Sequence, residues 1–195
     1  SMAPDGPQNL RDAMRVCMAP DASGVLVVCA GQVHAARDVQ KVHPYRLNAF
    51  DSGDAGPLAY VEEGLVRWVH PCPAVGADAQ PWMDRLKAAI WPRVEIVLSY
   101  AGADGLVVRA LCAAAATEAD PVRGLVLAGT GNGTMHHALE EAVLQAQLQG
   151  IRVVRSTRCA YGHIVQGEAG GDAFPAAVAL SPVKARIALM LQLMP

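Results

Sequence analysis

"LVLAGTGNGTMHHALEEA", residues 125–142, decides how the second half of this chain folds. It opens as a short apolar run suited to a buried strand, turns through glycines at 129, 131 and 133, and continues with a helical pattern. A nucleotide-binding loop has that same strand, turn and helix, so the spacing has to be read closely. The dinucleotide fingerprint GxGxxG would need its third glycine at Thr134 and an acidic residue on the next strand. That strand, "IRVVRST" (151–157), offers Arg152 and Arg155 and no Asp or Glu. The Walker pattern fails too, because no Lys-Ser or Lys-Thr follows the loop. The glycines therefore read as backbone devices that allow positive φ and close strand-to-helix packing. Thr134 is the expected cap of the next helix, and Asn132 suits a left-handed position beside it.

Outward from this turn the pattern is regular. A strand "VEIVLSY" (94–100), a helix from about 105 to 116, the strand ending at Gly129, a helix over 134–149, the strand 151–157 and a last helix follow in order. Ser181 is the expected cap of that last helix and Pro182 its first residue. Strands alternating with helices of this length build parallel βαβ units, whose ligands gather at the carboxyl ends of the strands. Residues 70–93 carry four prolines (71, 73, 81 and 92) and read as a linker between a domain over 1–69 and a second over 94–195. The fold class is α/β, with two α/β domains, the second a small open parallel sheet with flanking helices.

In the first domain "PDGPQNLRDAMRVCMAP" (4–20) predicts a helix, with Asp5 as cap, Pro7 in the first turn and an apolar face of Leu10, Met14, Val16 and Cys17. "GVLVVCAG" (24–31) suits a strand buried on both faces. "QVHAARDVQKVH" (32–43) reads as its partner, ending near Lys41. "GPLAYVEEGLVRWV" (56–69) carries two alternating runs around Glu62-Glu63-Gly64, a hairpin signal.

Composition narrows the function classes. With 16 basic and 18 acidic residues in 195, the formal charge is −2, and no run of Lys or Arg makes a footprint for nucleic acid or anionic lipid. The apolar stretches at 106–116 and 187–194 fall short of the roughly 20 residues that span a bilayer. The opening "SMAPDGPQNL" lacks the basic leader and apolar core of a signal peptide. Five cysteines, at 17, 29, 72, 112 and 159, are odd in number and widely spaced, which predicts buried free thiols and leans toward a cytoplasmic rather than periplasmic compartment. No CxxC or Cys/His cluster has zinc spacing, and His136 and His137, adjacent on a helix, would point about 100° apart. No metal and no cofactor is expected. Cys159 and His163 lie close in sequence, but catalytic thiol–imidazole pairs are neighbours in space rather than in sequence.

Taken together, several stretches resemble the bacterial-type L-asparaginase family. "SMAPDGPQNLRDAM" (1–14) resembles that family's S-M-x-x-D-G-P-x-N-L helix start. "GVLVVCAGQVHAARDVQKVHPYRLNAFDSGDAGPLAYVEEGLV" (24–66) resembles its strand, its A/G-R-x-V-x-K segment and its AF-x-S…GPLG-x-V hairpin. "GLVLAGTGNGT" (124–134), "GIRVVRSTRCAYG" (150–162) and "LSPVKARIALML" (180–191) resemble its G-x-G-N-G turn, its V-V-R-S-[ST]-R strand and its N-P-x-K-A-R helix. The order is the family's, over nearly the whole chain.

The resemblance implies hydrolysis of the side-chain amide of L-asparagine to L-aspartate and ammonia, through an acyl-enzyme on a threonine. Lys41 matches the family's catalytic lysine, which works with a Thr-Asp pair to activate the nucleophile. A lysine held in a low-dielectric site can relay a proton in this way. Read without the resemblance, Lys41 only closes a strand of mixed polarity.

The family's first half carries the nucleophilic threonine, a mobile loop with a tyrosine, a serine-bearing substrate segment and a Gly-Thr-Asp stretch. The first residues here match a point after all of them, and Thr117, Thr130, Thr134 and Thr157 stand in other contexts. The chain thus reads as a truncated portion of a longer enzyme, with an incomplete first domain and an apolar end, "LMLQLMP", that wants a covering partner. The resemblance further implies a homo-oligomer, dimer or tetramer, in which the second domain reaches a neighbouring subunit's active site. Glu168 lies near the family's acidic position in that loop, as a substrate-binding residue. Gly102 stands where the family often has a polar side chain, so no contact is carried over there. A second reading is a non-catalytic asparaginase-like module that oligomerises or senses a ligand.

Overall fold

The computed structural model describes residues 4–74, 86–87, 90–115, 119–165 and 179–194, and the chain divides into two compact units, Ser1–Ala79 and Gln80–Pro195.

The first unit opens with α1 (Gly6–Cys17), whose first turn holds Pro7, where a missing N–H costs nothing. Asp5 takes the N-cap position without making a capping bond; its carboxylate instead accepts from the Asn9 side chain at 3.1 Å. The expected apolar face is only partly turned inward. Val16 is buried, but Leu10, Met14 and Cys17 are exposed and Asp12 takes the inner position with it. Burial of that carboxylate is tolerable because Gln8 Nε2, one turn away, donates to it at 2.7 Å.

Strands β1 (Leu26–Cys29) and β2 (Gln32–Ala35) form an antiparallel hairpin. Beyond Ala35 the amides of Asp38 and Val39 both donate to its carbonyl, at 3.1 and 3.0 Å. The turn takes the chain out of the sheet, so β2 ends well before Lys41. Lys41 belongs to a separate ribbon of β3 (Gln40–Lys41) and β4 (Phe50–Asp51), each two residues long. β5 (Ala59–Glu62) and β6 (Leu65–Trp68) complete a four-stranded antiparallel sheet of order β1-β2-β5-β6. β1 is therefore an edge strand, half-buried along most of its length rather than buried on both faces as its composition predicted. The β5–β6 hairpin turns at Glu63 and Gly64 with φ of +51° and +77°, the left-handed pair that a two-residue turn requires. Val16, Val33 and Ala59 form the buried centre of this unit.

One polar pair lies inside it. His34, on β2, is 1% exposed, and its Nδ1 is 2.8 Å from the hydroxyl of Ser52, just past β4 and itself 5% exposed. His34 Nε2 is buried without a hydrogen-bond partner. Burial holds this imidazole below its ordinary pKa, opposed by the negative charge of Asp51.

The second unit contains β7 (Arg93–Leu98), α2 (Leu106–Ala115), β8 (Val122–Gly129), α3 (His137–Leu148), β9 (Arg152–Thr157) and α4 (Pro182–Leu193). The three strands are parallel, in the order β7-β8-β9. β8 is buried at all but one position, because both faces of the sheet are covered. Leu125 and Leu127, with Val97 and Val153, pack under α2 and α3. Val126 and Val94, on the opposite face, pack under Ala185, Leu189 and Met190 of α4. Arg186 Nε adds a bond to the Val94 carbonyl at 2.7 Å. Ser181 occupies the N-cap of α4 with no side-chain bond. Among the described residues no helix is long and apolar enough to cross a membrane.

The glycine turn folds on itself. Thr130 and Thr134 exchange both backbone hydrogen bonds, at 3.0 and 2.9 Å, so these two amides are already engaged. Thr134 is consequently not the helix cap. That position belongs to His136, whose Nδ1 accepts from the Ala138 amide at 3.3 Å. His136 therefore lies outside the helix, and its ring stacks beside that of His137 with centroids 4.3 Å apart instead of splaying away. A methyl group on Gly129 would stand 2.5 Å from the Gly133 carbonyl carbon, which is backbone and has nowhere to go. Gly131, by contrast, faces open space and is constrained only by its φ of +47°.

Two predictions follow from this packing and from the buried imidazole. Gly129→Ala should cost about 3 kcal/mol through forced overlap, and Gly131→Ala about 1 kcal/mol for the left-handed conformation alone; urea unfolding of the two variants reads the difference, and equal losses would contradict the close approach. For His34 the folded pKa lies below the unfolded one, so the unfolded chain binds more protons. The stability this contributes is complete above about pH 6.5 and is lost as pH falls toward the folded value, with a slope of at most about 1.4 kcal/mol per pH unit. Thermal unfolding followed from pH 7.5 to 5 should show that slope in the native sequence and a flatter one in His34→Leu.

Candidate functional site

Lys41 is an exposed amine on a short ribbon. Its strand partner is Phe50, and its Nζ stands 6.0 Å from the centre of the Phe50 ring. The ribbon is closed on itself by the Ala49 carbonyl, which accepts from both Val42 and His43 at 2.8 and 3.3 Å. His43 Nδ1 in turn accepts from the Tyr45 and Arg46 amides at 3.1 and 3.0 Å, folding the connecting loop. The low-dielectric setting that the resemblance implied for this lysine is not built by these residues: Lys41 is exposed.

Around the ribbon the sequence motifs converge. Asn9 Oδ1 accepts from the Ala30 amide at 2.9 Å in the β1–β2 turn, while its Nδ2 reaches Asp5 at 3.1 Å and the Cys29 sulfur at 3.8 Å. The Cys29 thiol points to the Leu47 carbonyl of the ribbon loop at 3.5 Å. Burial raises the pKa of this thiol, the charge of Asp5 adds to the effect, and Lys41 and Asn9 oppose it. Cys29 is therefore a neutral thiol and a poor nucleophile. On the other side of the ribbon Ser52 is bonded to His34. Asn9, Cys29, His34 and Ser52 did not stand out from composition or spacing. A histidine inside an apolar strand and an Asp-Asn pair one helical turn apart were the available signals, and their partners are distant in sequence.

The remaining sequence candidates are not gathered here. The first unit has no threonine at all. In the second unit the Thr157 hydroxyl donates to the Gly131 carbonyl at 2.6 Å and accepts from the Cys159 amide at 3.1 Å, and the Thr130 hydroxyl donates to the Thr134 carbonyl at 3.3 Å. These hydroxyls hold turns. Thr117 and Glu168 lie outside the described residues. The loop before Glu168 is anchored as far as Val165, whose amide and carbonyl both bond the Asn132 side chain, at 2.7 and 3.0 Å. Cys159 and His163 are both exposed. All five cysteines are free thiols, but only Cys29 is buried; the expectation of buried thiols fails for Cys17 and Cys159, which are exposed, and for Cys72 and Cys112, which are half-buried.

What Lys41 and its surroundings supply is an exposed amine beside the Phe50 ring.

Comparison with known proteins gives this arrangement its context. Residues 1–73 match the family "Asparaginase, N-terminal" and residues 93–194 match "Glutaminase/Asparaginase C-terminal domain". The chain is 36% identical over 199 residues to L-asparaginase 2 of Escherichia coli (strain K12), covering 99% of this chain and 55% of that protein. It is 32% identical over 200 residues to the glutaminase-asparaginase of Pseudomonas fluorescens biotype A, covering 99% and 53%. The crystal structure of a probable cytoplasmic L-asparaginase from Campylobacter jejuni superimposes with a TM-score of 0.87 at 30% identity, covering 99% of this chain and 60% of that one. The chain spans little more than half the length of these relatives. The chain belongs to the bacterial-type L-asparaginase family.

Proposed function

We propose that the protein carrying this chain hydrolyses the side-chain amide of L-asparagine to L-aspartate and ammonia, with Lys41 as the proton-relay lysine. The threonine hydroxyl attacks the amide carbon and gives its proton, through a Thr-Asp pair, to the neutral Lys41 amine; the resulting ammonium returns a proton to the amide nitrogen as the tetrahedral adduct collapses, so that ammonia leaves and the acyl-threonine ester forms. Water then cleaves the acyl-threonine ester and restores the hydroxyl. The single observation that supports the assignment to Lys41 is its place: the residue matching the family's lysine lies on a ribbon that Cys29 reaches at the Leu47 carbonyl and His34 reaches at Ser52.

The nucleophile in this reading is none of the four threonines of the sequence. Two of them spend their hydroxyls on turns, and the relatives are nearly twice as long. Covering Lys41 with a further part of the N-terminal domain would also supply the low dielectric that a relay amine needs. In the same reading the protein is a homo-oligomer, and Glu168 contacts substrate in a neighbouring subunit. The specific alternative, an asparaginase-like module without catalysis, draws on the absence of threonine from the first unit.

Two measurements test this. Intact mass of the protein from its natural source should exceed that of these 195 residues; a mass equal to them favours the non-catalytic module. In the natural-length protein, Lys41→Met should lower ammonia release from L-asparagine by about 10³-fold or more, as loss of a residue that acts as part of a catalytic unit does, with an unchanged circular dichroism spectrum. Retention of more than a tenth of the activity would overturn the role given to Lys41.

A further inference from the structure

The Lys41 ribbon raises a mechanical question that the proposed chemistry leaves open. β3 and β4 pair over two residues each and belong to neither side of the four-stranded sheet. A ladder that short does not fix its own position, since an isolated two-stranded ribbon is marginal even at greater length. Something outside it has to set where the lysine stands.

The link between His34 and Ser52 has the right properties. His34 belongs to β2, an interior strand of the sheet, while Ser52 directly follows β4. Both side chains are buried, at 1% and 5% exposure, so water does not compete for the 2.8 Å bond between them. A second side-chain tie to this segment, from the Cys29 thiol to the Leu47 carbonyl, is a 3.5 Å contact made by a weak donor and lies at the loop end. The histidine also carries a cost that packing alone does not explain: its Nε2 is buried with no partner. A leucine or valine in the same strand would fill the space without that penalty. The group that gives His34 its use is the ribbon serine.

We propose that His34, through Ser52, is the positioning residue for Lys41: it pins the lysine-bearing ribbon to the sheet and thereby sets the place of the relay amine. The inference rests on the role proposed above for Lys41. The register makes the lever short, because Lys41 pairs with Phe50 and Ser52 directly follows that strand, beyond Asp51. Asp51 is the charged group facing the imidazole, and its carboxylate is itself engaged by the Gly53 amide at 2.6 Å.

The test uses the protein at its natural length, with Ser52→Ala, His34→Leu, the conservative His34→Asn, which keeps a polar atom near the Nδ1 position, and Lys41→Met. Hydrogen exchange is read at the Val42 and His43 amides of the ribbon and, as an internal control, at the Val61 amide, which bonds to the Gly31 carbonyl within the sheet. Ser52→Ala and His34→Leu should speed ribbon exchange about tenfold, the factor expected for one lost hydrogen bond, and leave Val61 unchanged. With L-asparagine they should lower kcat by about 10²-fold, as displacement of a reacting group by an ångström does, with KM altered less than about twofold. His34→Asn should recover most of both effects.

Unchanged ribbon exchange in Ser52→Ala overturns the tether. Faster exchange with undiminished kcat, in a protein that Lys41→Met inactivates, overturns the positioning role while leaving the role of Lys41 standing. Activity surviving in Lys41→Met overturns the parent reading, and the positioning of a relay amine falls with it, whatever the exchange data say of the tether. A uniform loss of protection that includes Val61 reduces His34 to ordinary core support and also overturns the proposal.

Discussion

A two-residue strand pair has too few backbone hydrogen bonds to hold a side chain in a fixed place, and this limit governs the first unit. The chain leaves the four-stranded sheet at the turn over Ala35, Asp38 and Val39, makes the ribbon of β3 and β4, and returns as β5. The excursion leaves Lys41 exposed, and it leaves the ribbon dependent on side chains for its position. Two such contacts reach it, from the Cys29 thiol at the hairpin turn to the Leu47 carbonyl and from His34 to Ser52. Polar groups in these roles have to be buried to be effective, and buried polar groups have to be paired. The unpartnered Nε2 of His34 marks where the second condition is not fully met.

The second unit meets a different constraint. A parallel sheet needs cover on both faces, and with three strands there is little sheet to cover. α2 and α3 take one face and α4 the other, so that successive residues of β8 enter different cores. The strand then has to pass into α3 within a few residues. Gly129 allows its own backbone to meet that of Gly133, and the Thr130–Thr134 pair closes the turn. A glycine loop that cradles phosphate keeps its amides free for the ligand. In this turn two of them face each other, and Asn132 reaches outward to hold Val165. The same composition thus serves a different purpose.

How much of this was legible in the sequence varied with how local the cause is. Alternating strands and helices, the Glu63-Gly64 hairpin and the Ser181-Pro182 helix start are decided by neighbours in sequence, and the structure has each of them, with the helix expected from 134 opening at His137. The misreadings arose where a distant partner decides. β1 looked doubly buried because its residues are apolar, yet its place at the sheet edge is a matter of topology. Thr134 has good capping chemistry, but the turn had already engaged its backbone, and His136 took the cap. The apolar stripe of α1 predicted an inward Leu10 and Met14; Asp12 faces inward because Gln8 satisfies it. Lys41 is an ordinary surface lysine by every local criterion, and only the family motif singled it out.

The tethers show why a site of this kind resists reading from one sequence. Asn9 and Ala30, Cys29 and Leu47, and His34 and Ser52 are each separated by about a helix-and-strand's length of chain, with nothing in their spacing to link them. Each is chemically plain on its own: an amide on a helix, a thiol at a strand end, an imidazole among valines. Two of them, Cys29 and His34, meet the stretch of chain that follows Lys41, at the Leu47 carbonyl and the Ser52 hydroxyl. An amine that must exchange a proton within a reacting assembly needs its position fixed more than it needs further chemistry beside it, because proton transfer depends steeply on distance and alignment. In the proposed reading the exposed lysine and the buried histidine are complementary parts of one arrangement: Lys41 stands in solvent opposite Phe50, and His34 meets Ser52, two residues beyond Phe50, where water does not reach.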